Sequence, residues 1–271
     1  KVGGTSATSG GGIWIPNSHY AKEAGAEDNP QDARAYLMNT LFGEDVPEEM
    51  IDIYLEKSPE MLKFLHDRTD VRYESLAEYP DYYTNMEGAR AGHRSLEPAP
   101  IMASELGENW KNMTWTHFMM RMFNRIHFTQ VEAHLLMVQL PGWKKLLARL
   151  MWDYIRDIPW RLKTPISRRL ACGSAGVARL YLSVLKREIP LEFNTQMVEL
   201  IAEGDTVLGA VIECNGQRQR VRAAKGVIVA SGGFEKNQAL REQYLPAPTN
   251  TEWSAGNPAN EGDALLAGLE L

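Results

Sequence analysis

Between Leu191 and Ala223 the sequence alternates apolar and polar residues in three short runs, and this segment restricts the fold more than any other. Turn sequences separate the runs, at Glu203-Gly204-Asp205 and at Asn215-Gly216. Alternation joined by turns of this kind predicts a three-stranded antiparallel meander. An unbroken apolar run, Gly226–Ala230, follows it. Such a run is typical of a strand buried on both faces of a parallel sheet, so the chain is predicted to belong to the α/β class.

Helical signals lie on the N-terminal side of the meander. Apolar residues recur at helical spacing from Pro30 to Asp67, with Gly43 separating two helices and an interruption expected at Ser58-Pro59. A capped helix with one apolar face is predicted from about Ser174 to Glu188.

A Met- and Trp-rich stretch differs in composition from the sequence around it, and we interpret it as a helical insertion at about residues 104–165. Within it, the apolar residues of Trp143–Ile155 follow helical spacing, while Lys144, Lys145 and Arg149 lie off that stripe. One interpretation is that the stripe packs on the rest of the protein, as most amphipathic helices do. The other is that the helix lies on a membrane surface.

The bulk composition excludes several classes of protein. With 44% hydrophobic and 24% charged residues, the chain resembles an ordinary globular domain, which argues against disorder. A formal net charge of −6 argues against a nucleic-acid partner. Cys172 and Cys214 are far apart and match no disulfide or zinc spacing. Because no leader and no long apolar run are seen either, the sequence predicts a cytoplasmic protein, membrane-associated if the amphipathic helix binds lipid. Nothing in it sets the oligomeric state.

The chain opens on glycines and hydroxyl residues between Gly3 and Gly12. Glycines allow a backbone to approach a cofactor closely, and hydroxyls can hydrogen-bond it. A glycine loop alone is also typical of a flexible surface loop. Here it is followed in order by the meander, the apolar run, an Ala230–Phe234 turn and an Asn260–Ala264 segment, and this ordered set favours a cofactor site.

That set resembles the FAD-dependent fumarate reductase superfamily, and the Ile13–Pro16 extension is most similar to 3-ketosteroid dehydrogenases. The resemblance implies a partial Rossmann-like FAD-binding domain, with a parallel sheet, the three-stranded meander and the helical insertion. It implies FAD as the cofactor. The residues that it would place against FAD are Gly3, Gly4, Thr5, Ser6, Ser9, Gly10, Gly11, Gly12, Val198, Ala230, Ser231, Gly232 and Asp263.

The resemblance also implies that residues 1–271 form an incomplete FAD-binding domain. The G-x-G-x-x-G unit of the family would precede Gly3, and a C-terminal half with further substrate-binding segments and further catalytic tyrosines would follow Leu271. The start in a glycine loop and the stop in an apparent helix favour the same interpretation. We therefore expect this segment alone to bind FAD weakly or not at all, and to be inactive.

Tyr79-Pro80-Asp81-Tyr82-Tyr83 resembles the Pro-Asp-Tyr-Tyr segment of 3-ketosteroid Δ1-dehydrogenases, which implies that Tyr82 assists proton removal α to the ketone. A phenol with a pKa of about 10 is a weak acid, so its oxygen needs a second tyrosine or a buried setting to act at neutral pH. The alternative is that these tyrosines only pack at a loop corner.

The first functional hypothesis is therefore flavin-dependent dehydrogenation of a 3-ketosteroid or a similar hydrophobic ring ketone. A fumarate reductase-like enzyme acting on a small dicarboxylate is the enzymatic alternative, for which Arg90 and Arg94 would bind the carboxylates. A non-catalytic fragment that pairs with a partner is the third. His117, His127 and His134 lack the H-E-x-x-H pattern, so no metal site is expected.

Overall fold

The computed structural model describes all 271 residues, which form two compact units. The large unit comprises Val2 and Ser6–Glu188. The small unit comprises Lys1, Gly3–Thr5 and Ile189–Leu271. The glycine-rich opening therefore contributes residues to both units.

Eight helices carry most of the large unit. They are α1 (Gly4–Thr8, which begins in the small unit), α2 (His19–Glu23), α3 (Pro30–Asn39), α4 (Glu48–Arg68), α5 (Gln130–Met137), α6 (Trp143–Arg156), α7 (Ile158–Arg161) and α8 (Cys172–Lys186). Two 3₁₀ helices, Ala103–Asn112 and Phe118–Met120, join them. The predicted pair of helices separated near Gly43 and the helix near Ser174–Glu188 are confirmed.

The expected interruption at Ser58-Pro59 is wrong, because α4 continues through it. Proline within a helix removes one hydrogen bond and typically costs about 3 kcal/mol. The inward face of α4 buries Ile51, Ser58 and Leu62, and Leu62 is fully inaccessible to solvent. This packing on both sides of Pro59 keeps the helix continuous.

Short antiparallel sheets complete the large unit. Their strands are β1 (Ile13–Trp14), β2 (Tyr73–Ser75), β3 (Ser95–Pro98), β4 (Ile101–Met102), β5 (Arg121–Met122), β6 (Ile126–His127) and β7 (Arg169–Leu170). The order β1-β3-β2 forms one sheet, while β4 pairs with β7 and β5 with β6. Leu96 of β3 packs with Ile15, Tyr20 and Leu62 in a core that fixes the start of the chain against α4.

The range 104–165 contains 3₁₀ turns, the β5–β6 hairpin and α5 to α7, so it is less continuously helical than its composition indicates. Leu146 and Leu150 of α6 are buried against Ile126. The stripe of α6 therefore packs within the unit, as the first interpretation of that helix predicted. That residues 104–165 are an insertion stays a prediction.

The small unit contains the predicted meander, which is confirmed. Its strands are β8 (Thr195–Glu203), β9 (Thr206–Cys214) and β10 (Gln217–Arg222), in the order β10-β9-β8. Helices α9 (Gln238–Tyr244) and α10 (Asp263–Leu269) follow, with a 3₁₀ turn at Thr251–Trp253 between them. The β8–β9 register passes from Met197↔Ile212 to Glu199↔Val211, so Val198 lies in a β-bulge without a partner residue.

The predicted buried strand at Gly226–Ala230 is wrong for this chain. These residues adopt no regular structure, and the side chain of Ile228 is 94% exposed. All four sheets are antiparallel, so the predicted parallel sheet is absent too. A central strand forms only when strands on both sides bond its N–H and C=O groups, and none of the ten strands lies beside this run.

None of the helices combines the length and the apolar character that crossing a bilayer requires.

Candidate functional site

In the large unit, the opening loop lies on the first turn of α8. The N–H of Gly173 donates to the carbonyl of Ser9 at 3.0 Å. A Cβ atom on Gly11 would lie 2.7 Å from the Cα of Gly173, and one on Gly173 would lie 2.1 Å from the carbonyl oxygen of Ser6. Side chains do not approach backbone this closely, so two glycines are required to seat the loop on the helix.

Ser9 shapes this loop from within. Its hydroxyl donates to the carbonyl of Ser6 at 2.9 Å and accepts from the N–H of Gly11 at 3.0 Å. Gly10 and Gly12 face the amide of Gln130, which donates to the carbonyl of Gly10 at 3.4 Å. The Ser9 hydroxyl, which the sequence suggested for the cofactor, is thus held in bonds within the loop.

A cavity of about 460 Å³ joins the loop to the candidate catalytic tyrosine. Its walls are formed by Ser9, Gly10, Gly11, Gly12, Ile13, Trp14, Tyr36, Leu76, Tyr79, Pro80, Asp81, Tyr82, Ser95 and Gln130. Trp14 packs on Tyr36, with the ring centroids 5.8 Å apart. The walls are thus mainly aromatic and aliphatic, and loop backbone forms one side.

Tyr82 lies on the rim of this cavity with 83% of its surface exposed. Of the expected cofactor residues, the structure brings Ser9 and Gly10–Gly12 to the same cavity. The phenol of Tyr82 is thus open to solvent on the same cavity as the glycine loop.

Asp81 anchors the tyrosine segment, and we did not single it out from the sequence. Its side chain is 3% exposed and accepts from the indole N–H of Trp14 at 2.6 Å and from the backbone N–H of Arg90 at 2.9 Å. The guanidinium of Arg94 donates to it at 2.8 Å. The only sequence signal was its position inside the Pro-Asp-Tyr-Tyr segment.

Arg94 and Arg90 are both occupied by carboxylates of the protein. Arg94 is 2% exposed and bonds Asp28 and Asp81, each at 2.8 Å. Burial would raise the pKa of Asp28, but hydrogen bonding to Arg94 and its positive charge keep that pKa below the ordinary value. Arg90 bonds Asp28 and Asp32. Neither guanidinium is free to bind the carboxylates of a dicarboxylate substrate.

In the small unit, Asn260 connects two segments that the sequence assigned to the cofactor. Thr5 accepts through its hydroxyl from the side-chain amide of Asn260 and from the backbone N–H of Asn257, both at 3.0 Å. A Cβ atom on Gly232 would lie 2.7 Å from the side-chain oxygen of Asn260. Asn260 itself is 7% exposed. The sequence pointed to this segment through Asp263 and gave no signal for Asn260.

The other expected residues of the small unit are apart from this cluster. Ala230 and Ser231 are exposed in irregular backbone. Asp263 is half-buried and begins α10, and Val198 lies in the bulge of β8.

The sequence matches the FAD binding domain family over residues 1–271. The chain belongs to this FAD-binding family. FAD is the cofactor that membership implies, and the expected resemblance to ketosteroid dehydrogenases is confirmed by the relatives.

The chain is 34% identical to the 3-oxosteroid 1-dehydrogenase of Comamonas testosteroni over 275 residues, which is 98% of this chain and 46% of that protein. It is 34% identical to the 3-oxosteroid 1-dehydrogenase of Mycobacterium tuberculosis (strain ATCC 25618 / H37Rv) over 280 residues, covering 99% of this chain and 48% of that one.

Among solved structures, it is similar to the 3-ketosteroid Δ1-dehydrogenase of Sterolibacterium denitrificans, crystallised with 1,4-androstadiene-3,17-dione. The TM-score is 0.93 at 37% identity, over 98% of this chain and 48% of that one. The FAD-binding fold is therefore shared with that enzyme. The chain spans about half the length of the relatives it matches.

The glycines of this FAD-binding chain differ in what surrounds them. Gly4 has a φ of +51°, and a Cβ atom there would meet no protein atom within 4 Å. Its missing side chain therefore leaves space that the protein does not fill, unlike Gly11 and Gly173, whose missing side chains leave space that neighbouring backbone occupies. No other part of the protein therefore blocks access to the backbone of Gly4.

The histidines of the FAD-binding chain do not gather into a metal site. His127 is buried, and its burial lowers its pKa to about 3, so its imidazole is neutral at physiological pH. Its Nδ1 lies 3.1 Å from the hydroxyl of Ser167. His134 lies 3.8 Å from Glu78 at the surface.

Proposed function

We propose that the whole protein dehydrogenates a 3-ketosteroid or a similar hydrophobic ring ketone, and that Tyr82 assists removal of the proton α to the ketone. The observation that carries the proposal is the cavity that places the exposed phenol of Tyr82 beside the Ser9–Gly12 loop. The similarity to 3-oxosteroid 1-dehydrogenases supports the substrate class.

The walls of the cavity favour a flat apolar ring. Trp14 and Tyr36 present aromatic faces, and Leu76 and Ile13 add aliphatic surface. Tyr82 would assist the group that takes the proton as the α C–H bond breaks, and the electron pair of that bond enters the new C=C bond. FAD, when bound, supplies the acceptor for the hydride that leaves the neighbouring carbon. The paired state of Arg90 and Arg94 gives the dicarboxylate alternative no free cation in this cavity.

We propose the following residues as FAD contacts: Gly3, Gly4, Thr5, Ser6, Ser9, Gly10, Gly11, Gly12, Val198, Ala230, Ser231, Gly232 and Asp263. Support differs among them. Direct contact with FAD suits Gly4, which has open space beside it. It also suits Val198, whose backbone is left without a partner residue by the bulge in the β8–β9 pairing. Ser9 and Gly11 fit a role in shaping the loop.

We infer further that residues 1–271 are an incomplete FAD-binding domain. A G-x-G-x-x-G unit and the remaining half of the relatives' length would complete the site, and the apolar run Gly226–Ala230 would become a strand of a Rossmann-like parallel sheet. The coverage of the relatives, between 46% and 48%, supports this inference.

We also propose that the range 104–165 contacts a lipid bilayer. It exposes large apolar side chains, including Met119, Phe123, Met137, Trp152 and Leu162, of which Leu162 is 84% exposed. Basic residues outnumber acidic ones from Trp143 to Arg169, although the chain as a whole carries a charge of −6. Exposed apolar groups beside cations suit an anionic membrane surface, where a steroid would also be dissolved.

The test of the enzymatic proposal is the visible absorption spectrum of the whole protein, followed by anaerobic titration with a 3-ketosteroid. We expect flavin bands that bleach as steroid is added. Bound flavin that steroid does not bleach, and whose chemically reduced form is reoxidised by fumarate, would contradict the proposal. Tyr82→Phe should retain the flavin bands and bleach much more slowly, with Tyr83→Phe in the same loop as the matched control.

A further inference from the structure

A second cavity, here called the side groove, adjoins the candidate site within the large unit. It has a volume of about 650 Å³ and lies between the segment that precedes Pro80 and helix α5. Leu76, Tyr79 and Gln130 line both the side groove and the cavity of about 460 Å³ that contains the Ser9–Gly12 loop in its walls. These three residues therefore form a partition between the two spaces.

The side groove is apolar except for one pair of ionisable residues. Beyond the partition, Ala77, Val131 and Ala133 give it aliphatic walls. Glu78 and His134 also line it, lie 3.8 Å apart, and both reach solvent. No buried charge in the groove needs a partner, so an aliphatic group can fill it without leaving an ion unsolvated.

The partition is held in place by one strand, β3. The carbonyl of Ser95 accepts from the N–H of Leu76 at 3.0 Å. The carboxylate of Glu97, which is fully buried, accepts from the N–H of Gln130 at 2.6 Å. The side-chain amide of Gln130 donates in turn to the carbonyl of Gly10 at 3.4 Å. Residues fixed in this way select among ligands by shape, because they do not adjust freely to what binds.

We propose that the side groove binds an apolar side chain carried by the ring ketone, and that Gln130 and Val131 are specificity-determining residues for substrates with such a side chain. This inference rests on the proposed function. The candidate cavity takes the reacting ring, and the side groove takes the aliphatic group at a distance from it. The substrate class then narrows to 3-ketosteroids that still carry an aliphatic side chain.

Volume and continuity both favour this occupant. Small-molecule cavities measure roughly 300–1,000 Å³, and each of the two spaces lies within that range. Because they share wall residues, a molecule seated in the first lies next to the second. Each methylene group moved from water to an apolar wall strengthens binding by about fourfold. A side chain of several carbons is therefore strongly preferred over a small polar group at the same position.

The test uses the whole protein and two 3-ketosteroids with the same ring system, both delivered in cyclodextrin. Cholest-4-en-3-one carries a branched aliphatic side chain, and androst-4-ene-3,17-dione carries an oxo group in its place. The variants are Val131→Trp and Val138→Trp. Val131 lies in α5 and Val138 ends it, and they are 56% and 57% exposed, but Val138 does not line the side groove.

Val131→Trp should lower kcat/KM for the side-chain steroid by about tenfold or more, mainly through KM, because the indole occupies the groove. The value for the dione should change by less than about twofold, since the dione has no group to place there. Val138→Trp should change neither value. Gln130→Ala opens the partition, so the ratio of kcat/KM for the side-chain steroid to that for the dione should rise. Any loss of FAD contact affects both steroids alike and leaves this ratio unchanged.

The outcomes separate the inference from the proposed function. If the dione bleaches the flavin and Val131→Trp leaves the ratio of the two kcat/KM values unmoved, the inference is overturned and the proposed function stands. If Val131→Trp lowers the thermal stability of the whole protein and slows both steroids equally, another part of the protein fills the groove, and the inference is again overturned. If neither steroid bleaches the flavin of the unmodified protein, the proposed function fails and the inference fails with it.

Discussion

At the scale of single residues, Arg94 holds the tyrosine loop to the rest of the large unit. Its guanidinium bonds two buried carboxylates, Asp28 and Asp81, and lies 5.7 Å from the centroid of the Trp14 ring. Arg90 forms a similar pair nearby, but its side chain is 37% exposed. The two arginines form similar ion pairs and differ in how far their side chains are buried.

We expect Arg94→Met to destabilise the protein by about 3–5 kcal/mol, because it leaves buried carboxylates without their cation. Arg90→Met is the matched control. It should destabilise the protein by about 1 kcal/mol or less, since water can solvate the carboxylates that the partly exposed Arg90 leaves behind. Urea denaturation of both variants measures the difference. Equal losses would show that Arg94 is not the anchor of the loop.

The proposed FAD contact at Gly4 is tested by a pair of glycines with similar backbone. Gly4 and Gly25 both have positive φ, at +51° and +78°, and a Cβ atom on either would meet no protein atom within 4 Å. Replacing either glycine by Ala should destabilise the fold by about 1–2 kcal/mol, because residues with a Cβ atom are strained at positive φ. Only Gly4→Ala should also weaken FAD binding in the whole protein.

The measurement is FAD affinity by fluorescence titration, with thermal unfolding of the apoprotein as the stability control. If Gly25→Ala weakens FAD binding as much as Gly4→Ala does, strain and not cofactor contact is the cause. If neither variant loses affinity, Gly4 does not meet the cofactor.

At the scale of elements, the sequence predicted the helices and strands that depend on neighbouring residues, and it failed where an element depends on contacts with distant residues. The meander was predictable because its turns and alternating strands are adjacent in sequence. The helices near Gly43 and Ser174 were predictable for the same reason. The continuation of α4 through Pro59 was not, because it depends on packing against distant residues.

The candidate site shows the same division. Ser9–Gly12 and Tyr82 could be named from their own segments, although only the structure brings them to one cavity. Arg94 and Asp28 are 66 positions apart, and Thr5 and Asn260 are 255 apart. One sequence carries no signal that such positions meet, so Asp81 and Asn260 were missed as partners.

The exposed apolar surface of residues 104–165 leads to a prediction for that segment. Met137 and Leu162 are 82% and 84% exposed. We expect the double variant Met137→Ser, Leu162→Ser to float less with anionic vesicles, because each loss removes apolar area from the lipid contact. The control is Met50→Ser, Phe64→Ser in α4, whose side chains are each 60% exposed outside this range.

Vesicles of anionic lipid should carry more protein than neutral vesicles, and added salt should reduce the difference, since the basic residues act through charge. Whole protein that stays at the bottom of the gradient with both kinds of vesicle would refute lipid contact. If both double variants lose flotation equally, residues 104–165 are not the specific site of lipid contact.

At the scale of the whole molecule, the apolar run Gly226–Ala230 is the place where this chain and the complete protein should differ. Ile228 and Val229 are 94% and 47% exposed here, and no strand of the chain pairs with them. Backbone amides without a ladder partner exchange with solvent quickly. The proposal that this run joins a parallel sheet requires the same amides to be bonded on both sides in the complete protein.

Hydrogen exchange compares the two states directly. We expect the amides of Val227–Val229 to exchange quickly in residues 1–271 alone and slowly in the whole protein. The amides of β9 provide the internal control, because β9 is paired on both sides within this chain and should be protected in both. Fast exchange at Val227–Val229 in the whole protein would mean that the run is a loop, and the Rossmann-like sheet would then have to be built without it. Slow exchange would show that the strand signal in the sequence was right for the complete fold, and that its absence here reflects missing partners and not a misread pattern.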